Sequence, residues 1–195
     1  STISRKIALA WILEWMARYG NGRGPGWTVE VASKRVIALV ENSSLFEKPP
    51  FGGVEPYGIL NDVIRRLLSR TLNLLKVLKP ITFDSRTQLF LTIAIFQCEY
   101  FRGTNSKQLG QILQRIGRIS KRLINRLGEI ESRNPEELLE FFVYLERFRN
   151  YGKQLNIYGV AEGSFVETSI MYAAKNLKAL RFKNGRLVTA MGSDG

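Results

Sequence analysis

Lys107, Gln111, Arg115, Arg118, Arg122 and Arg126 recur at three- and four-residue spacing. At about 100° per residue, that spacing gathers them on one side of a helix. The whole stretch from Ser106 to Gly128 contains no Asp or Glu. Such a face suits one task well, the neutralisation of phosphates. Lys and Arg displace condensed counterions from a nucleic-acid backbone, and this needs no base-specific geometry. An ordinary solvated helix face mixes its signs, because Glu–Lys pairs at i, i+4 add roughly 0.2–0.5 kcal/mol each. This face forgoes that support. The plain alternative is a basic solvated surface with no partner.

Further cations extend the theme. Arg66 and Arg70 sit in an expected helix over residues 57–79 and are candidate phosphate contacts. Lys76 and Lys79, near the end of the same segment, are explained by the negative pole of the helix dipole. Arg23 lies among glycines in the segment Gly20 to Gly26, followed by Trp27. Glycines allow a backbone to approach a phosphate closely, and an arginine beside an aromatic suits backbone contact and base stacking. The segment is neither a Walker loop nor a dinucleotide fingerprint, since no Gly-Lys-Ser/Thr follows and a helix precedes it. As a plain hinge it needs no ligand. Trp11, Trp15 and Trp27 concentrate aromatic area near the N-terminus, either as core or as anchors for a neighbouring subunit.

Catalysis is not expected. The 195 residues include no histidine and a single cysteine, Cys98, set in an apolar run. The commonest general base and the commonest zinc ligand are therefore missing, as are Cys–His and Ser–His–Asp arrangements. Glu55, Asp62, Asp84 and Glu99 are the best carboxylates, and Asp84 is explained as a helix cap. No pair has the spacing of a metal-dependent nuclease or transferase. No catalytic residue, metal site or cofactor is assigned. Cys98 reads as a buried thiol.

The positive charge has a location. Net charge is +12, and residues 56–133 hold 14 Lys and Arg against 5 Asp and Glu. Residues 134–195 hold 8 against 7, which suits a near-neutral packing or partner-binding part. The excess favours DNA, RNA or an acidic membrane surface as partner. The longest apolar run, Leu89 to Cys98, is too short to span a bilayer, and no secretory leader is expected. The protein is expected to be cytoplasmic or inside a nucleoprotein particle or virion.

The elements that must position these groups are helices. Helical patterns cover about 3–19, 28–42, 57–79, from Asp84 to before Gly103, 106–133, 135–151 and 165–178. The first has an apolar face of Ile3, Ile7, Trp11 and Trp15. Ser106 is the expected cap of the basic helix. Its core face is Leu109, Ile112, Leu113, Ile116, Ile119, Leu123, Leu127 and Ile130, with Gly110, Gly117 and Gly128 on a narrow third line. Asn134-Pro135-Glu136-Glu137 combines an N-cap, a proline at the first helical position and carboxylates in the first turn. Ser164 with Glu167 forms a capping box. Asn184-Gly185, flanked by apolar-alternating residues, predicts a terminal β-hairpin. The fold expected is mainly α, a multi-helix bundle. It divides into an N-terminal helical arm over 1–55, with Gly/Pro-rich hinges, and a helical core domain over 56–195 ending in the hairpin.

Together these features lead us to expect a non-catalytic nucleic-acid-binding structural protein that coats or scaffolds DNA or RNA as a homo-oligomer or multi-subunit assembly. Helical coat or nucleoid proteins, as in filamentous viruses, use such a design. So do small helical subunits of RNA-guided effector complexes. A helical DNA-binding regulator is a third option, weakened by the scarcity of base-reading side chains beyond Gln111 and Gln114.

Overall fold

A computed structural model describes residues 2–42, 69, 73, 84–101, 103–154, 157 and 165–181. Among these the chain is mainly helical, with six α-helices and one short 3-10 helix. The expected hairpin, the boundary near residue 55, most of the expected helix over 57–79 and the Ser164 cap lie outside the described residues. Two compact units divide the chain, one over Ser1–Thr104 and one over Asn105–Gly195.

In the first unit, α1 spans Thr2–Tyr19, a 3-10 turn spans Pro25–Trp27, α2 spans Val29–Glu41 and α3 spans Ser85–Phe101. The unit is built on the packing of α2 against α3. Helix α2 presents Ala32, Val36, Ile37, Leu39 and Val40, all buried. The apolar run in α3 is largely enclosed, with Leu89, Phe90, Leu91, Ile93, Ala94 and Phe96 at 0% exposure and Ile95 half-buried. A helix buried on most sides needs no polar face, which is why this run lacks an amphipathic stripe. Asp84 caps α3 by accepting from the Thr87 amide at 2.8 Å and from the Thr87 hydroxyl at 2.8 Å. Burial pushes the Asp84 carboxyl up, but the hydrogen bonds from Thr87 and neighbouring amides outweigh it and hold the group below its ordinary range. Cys98 is a buried thiol.

Helix α1 is less well covered. Ile7, Trp11, Leu13 and Tyr19 are all exposed, so the expected Ile7–Trp11 face is not a buried one.

In the second unit, α4 spans Ser106–Leu123, α5 spans Pro135–Gln154 and α6 spans Phe165–Ala179. Helix α6 packs against both α4 and α5. The core gathers Ile116, Ile119, Ile124 and Ile130 with Leu138, Phe141, Leu145, Phe148, Val166, Ile170, Ala173 and Leu177. At the start of α5, Asn134 accepts from the Glu136 amide at 3.0 Å, as the Asn-Pro-Glu-Glu pattern requires. The helix continues through Gly152, which is buried, and ends at Gln154.

Candidate nucleic-acid interface

Helix α4 starts one residue earlier than its sequence signal. Asn105, not Ser106, is the N-cap, accepting from the Gln108 amide at 3.0 Å. The helix also stops sooner, at Leu123, with Ile124 already extended. Periodicity had carried the helix on to Arg133. Instead Asn125 captures the chain. Its side-chain oxygen accepts from the Leu127 amide at 2.9 Å and from the Glu129 amide at 3.0 Å. Gly128 then adopts φ 79°. A Cβ there would sit 2.1 Å from the Tyr172 carbonyl oxygen, so only glycine fits this approach to α6. Ile124 and Ile130 turn into the core, while Leu127, expected on the apolar face, stands 72% exposed.

The inward face of α4 buries Ile116, Gly117, Ile119 and Ser120. The Ser120 hydroxyl donates to the Ile116 carbonyl at 2.9 Å, which satisfies a polar group in the core. Lys107, Gln108, Gln111, Gln114, Arg118, Lys121 and Arg122 are exposed, and Arg115 is half-buried. The structure therefore brings five of the six expected face residues onto the outer side of one helix. Arg126 is exposed too, but in the turn after the helix. Among the described residues, Lys107, Arg115, Arg118 and Arg126 form no ion pair. The first turn of α4 holds no acid and carries Lys107 instead, against the helix dipole. Gly110 has open space where its Cβ would be, so no close neighbour explains it among the described residues.

The other candidates separate. Arg66 and Arg70 lie outside the described residues. Arg23 is exposed in the first unit, in a loop where its amide donates to the Asn21 side chain at 3.0 Å. Trp11 is 69% exposed. Trp15 and Trp27 are half-buried and meet with ring centroids 5.6 Å apart. The Trp27 indole donates to the Tyr19 carbonyl at 2.6 Å.

Arg35 of α2 organises this cluster, and sequence reasoning had not singled it out. Its guanidinium lies 3.9 Å from the Trp15 ring centroid and 5.2 Å from that of Trp27, and it donates to the Gly26 carbonyl. Burial lowers its pKa from the ordinary arginine value. The loop from Gly20 to Gly26 is thus tied at its end to α2. Nothing in the run Ala32-Ser33-Lys34-Arg35-Val36 distinguishes this arginine from a solvated one. The tie depends on a cation–π stack reached across eight and twenty residues.

Among the described residues no group of three His, Cys, Asp or Glu could hold a metal ion, and no helix is long and apolar enough to cross a membrane. The chain matches no protein-family model, no curated protein and no solved structure.

Proposed function

We propose that this protein is a non-catalytic, nucleic-acid-binding structural protein that coats or scaffolds a nucleic acid through the outer face of α4 and assembles with further copies of itself. The observation that carries the reading is the acid-free basic face of α4, with Lys107, Arg115 and Arg118 outside any ion pair among the described residues. Cations placed without partners on a rigid helix keep their full charge for phosphates. The following turn adds Arg126. Exposed Ile7, Trp11, Leu13 and Tyr19 on α1 support the assembly part, since aromatic and aliphatic anchors dominate protein interfaces.

The test is a salt titration of binding to duplex DNA, single-stranded DNA and RNA, with particle size followed alongside. The reading requires log affinity to fall linearly with log salt and particles to grow as nucleic acid is covered. Binding that is absent at low salt sinks it. Removing residues 1–19 should abolish higher assembly and leave a folded chain. If that deletion unfolds the first unit, Trp15 serves the fold and the assembly assignment fails. Incubation with labelled DNA or RNA and magnesium or manganese should give no cleavage, and cleavage lost on Glu99→Gln would overturn the non-catalytic assignment.

A further inference from the structure

Leu127 is the most exposed large hydrophobic residue among those described, at 72%. Both of its backbone groups are held by side chains. Its amide donates to the Asn125 side chain at 2.9 Å, and its carbonyl accepts from the Asn176 side chain of α6 at 3.2 Å. The Asn125 amide donates to the Glu129 carbonyl at 2.9 Å, and the Gly128 amide donates to the Asn125 carbonyl at 3.0 Å. Gly128 fits against the Tyr172 carbonyl where no side chain could. The turn is therefore pinned from both ends and from beneath, and it presents one bare aliphatic side chain to solvent.

The charge around this tip is asymmetric along the chain. Arg126 precedes Leu127 directly, and Arg122 occupies the last turn of α4. The acids come after it. The Glu129 carboxylate accepts from the Asn125 side-chain Nδ2 at 3.2 Å, and Glu131 is exposed. A leucine side chain makes no favourable contact with phosphate. What it can contact, once its neighbours lie on a backbone, is the apolar face of a base pair. Proteins that kink duplex DNA insert Phe, Leu, Ile or Met between base steps from the minor groove, alongside Arg, Lys, Asn or Gln that read the groove. Single-strand binders use aromatic rings as stacking platforms instead. An aliphatic tip thus favours duplex over single strand. The shallow minor groove of RNA duplexes, read by hydroxyl and phosphate contacts, disfavours RNA.

We infer that Leu127 is a wedge, inserted into a base step of duplex DNA while Arg126 and the α4 cations hold the adjacent phosphates. The inference rests on the nucleic-acid reading above and adds duplex DNA, minor-groove entry and bending. A rigid tip suits this task because little ordering remains to be done at insertion.

The experiment uses the full chain and an end-labelled duplex of about 30 base pairs carrying a central TA step, the most easily unstacked kind. Energy transfer between the ends reports bending. The native chain should bend the duplex by an angle in the range of about 20–90°. Leu127→Ala should lose most of that bend and about five- to tenfold in affinity for the TA duplex, with the slope of log affinity against log salt unchanged. Leu127→Phe should restore the bend, and an RNA duplex should stay straight with every variant. Because the side chain is exposed, thermal melting of Leu127→Ala should match the native chain. Salt-dependent binding without bending by the native chain, or equal bending by Leu127→Ala, overturns the wedge and leaves the phosphate reading standing. A Leu127→Ala variant that bends DNA fully but forms smaller particles assigns the leucine to a protein contact and also overturns it. Absence of any binding removes both readings.

Discussion

Helices α4 and α5 belong to the same unit and place their charges differently. Helix α5 places Glu136 and Glu137 in its first turn and Lys153 in its last, each matched to the dipole. Arg149 pairs with Glu146 at 2.7 Å, both only 23% exposed, and Ser132 donates to Glu137 at 2.6 Å. Its inner face buries Leu138, Phe141, Leu145 and Phe148. Helix α4 has no acid anywhere, a lysine in its first turn, and a thinner buried face centred on Ile116 and Ile119. Charges in α5 are arranged as a fold needs them. In α4 the first turn sets a lysine against the dipole, Lys121 and Arg122 in the last turn suit it, and no acid balances them; the proposed phosphate surface rests on this arrangement.

The comparison breaks most visibly in stability. Phe148→Ala in α5 removes a fully buried ring and should cost about 3–5 kcal/mol in a denaturant melt of the full chain. Arg118→Gln on the outer face of α4 should stay within about 0.5 kcal/mol of the native chain. A large loss at Arg118 would mean that the basic face serves the fold.

The glycines sharpen the same contrast. Gly128→Ala forces a side chain into a left-handed conformation and against the Tyr172 carbonyl. It should cost about 2–4 kcal/mol, read by thermal denaturation. Gly110→Ala has room for its methyl group and should stabilise α4 by roughly 0.5–1 kcal/mol. If both substitutions behave alike, the turn is not clamped as described.

Asp84 gives the comparison a control in the first unit, a charge whose whole use is local. Its folded pKa lies below the unfolded one, so its contribution is present above the unfolded value, near 4, and is lost as pH falls through the folded value. Asp84→Ala should cost about 1 kcal/mol at pH 7 and progressively less under acid, in melts across pH 2–7. A cost that does not shrink on acidification would show that the cap acts through something other than its charge.

Much of this was legible in the sequence, and the gaps have physical causes. The start of α5 was announced by four adjacent residues, because capping and dipole effects are local. The basic face of α4 was legible because helical periodicity is local too. The end of α4 was not. Leu123, Leu127 and Ile130 continued the apolar stripe, and no proline interrupted it. What stopped the helix was the Asn125 side chain competing for backbone amides, together with a carbonyl of α6 some 44 residues away pressing on Gly128. The Arg35 stack with Trp15 and Trp27 was hidden for the same reason. Its three members lie in three different elements, and no spacing rule links them.

The central claim is that α4, and not α5, carries the phosphate-binding charge. The most direct test compares log–log salt slopes for duplex DNA binding by the native chain, by the fourfold Arg115, Arg118, Arg122 and Arg126→Gln variant, and by an α5 variant with Arg147→Gln and Lys153→Gln. The account predicts a slope smaller by about 3–4 for the α4 variant and an unchanged slope for the α5 variant. A folded α4 variant that keeps the native slope would contradict it.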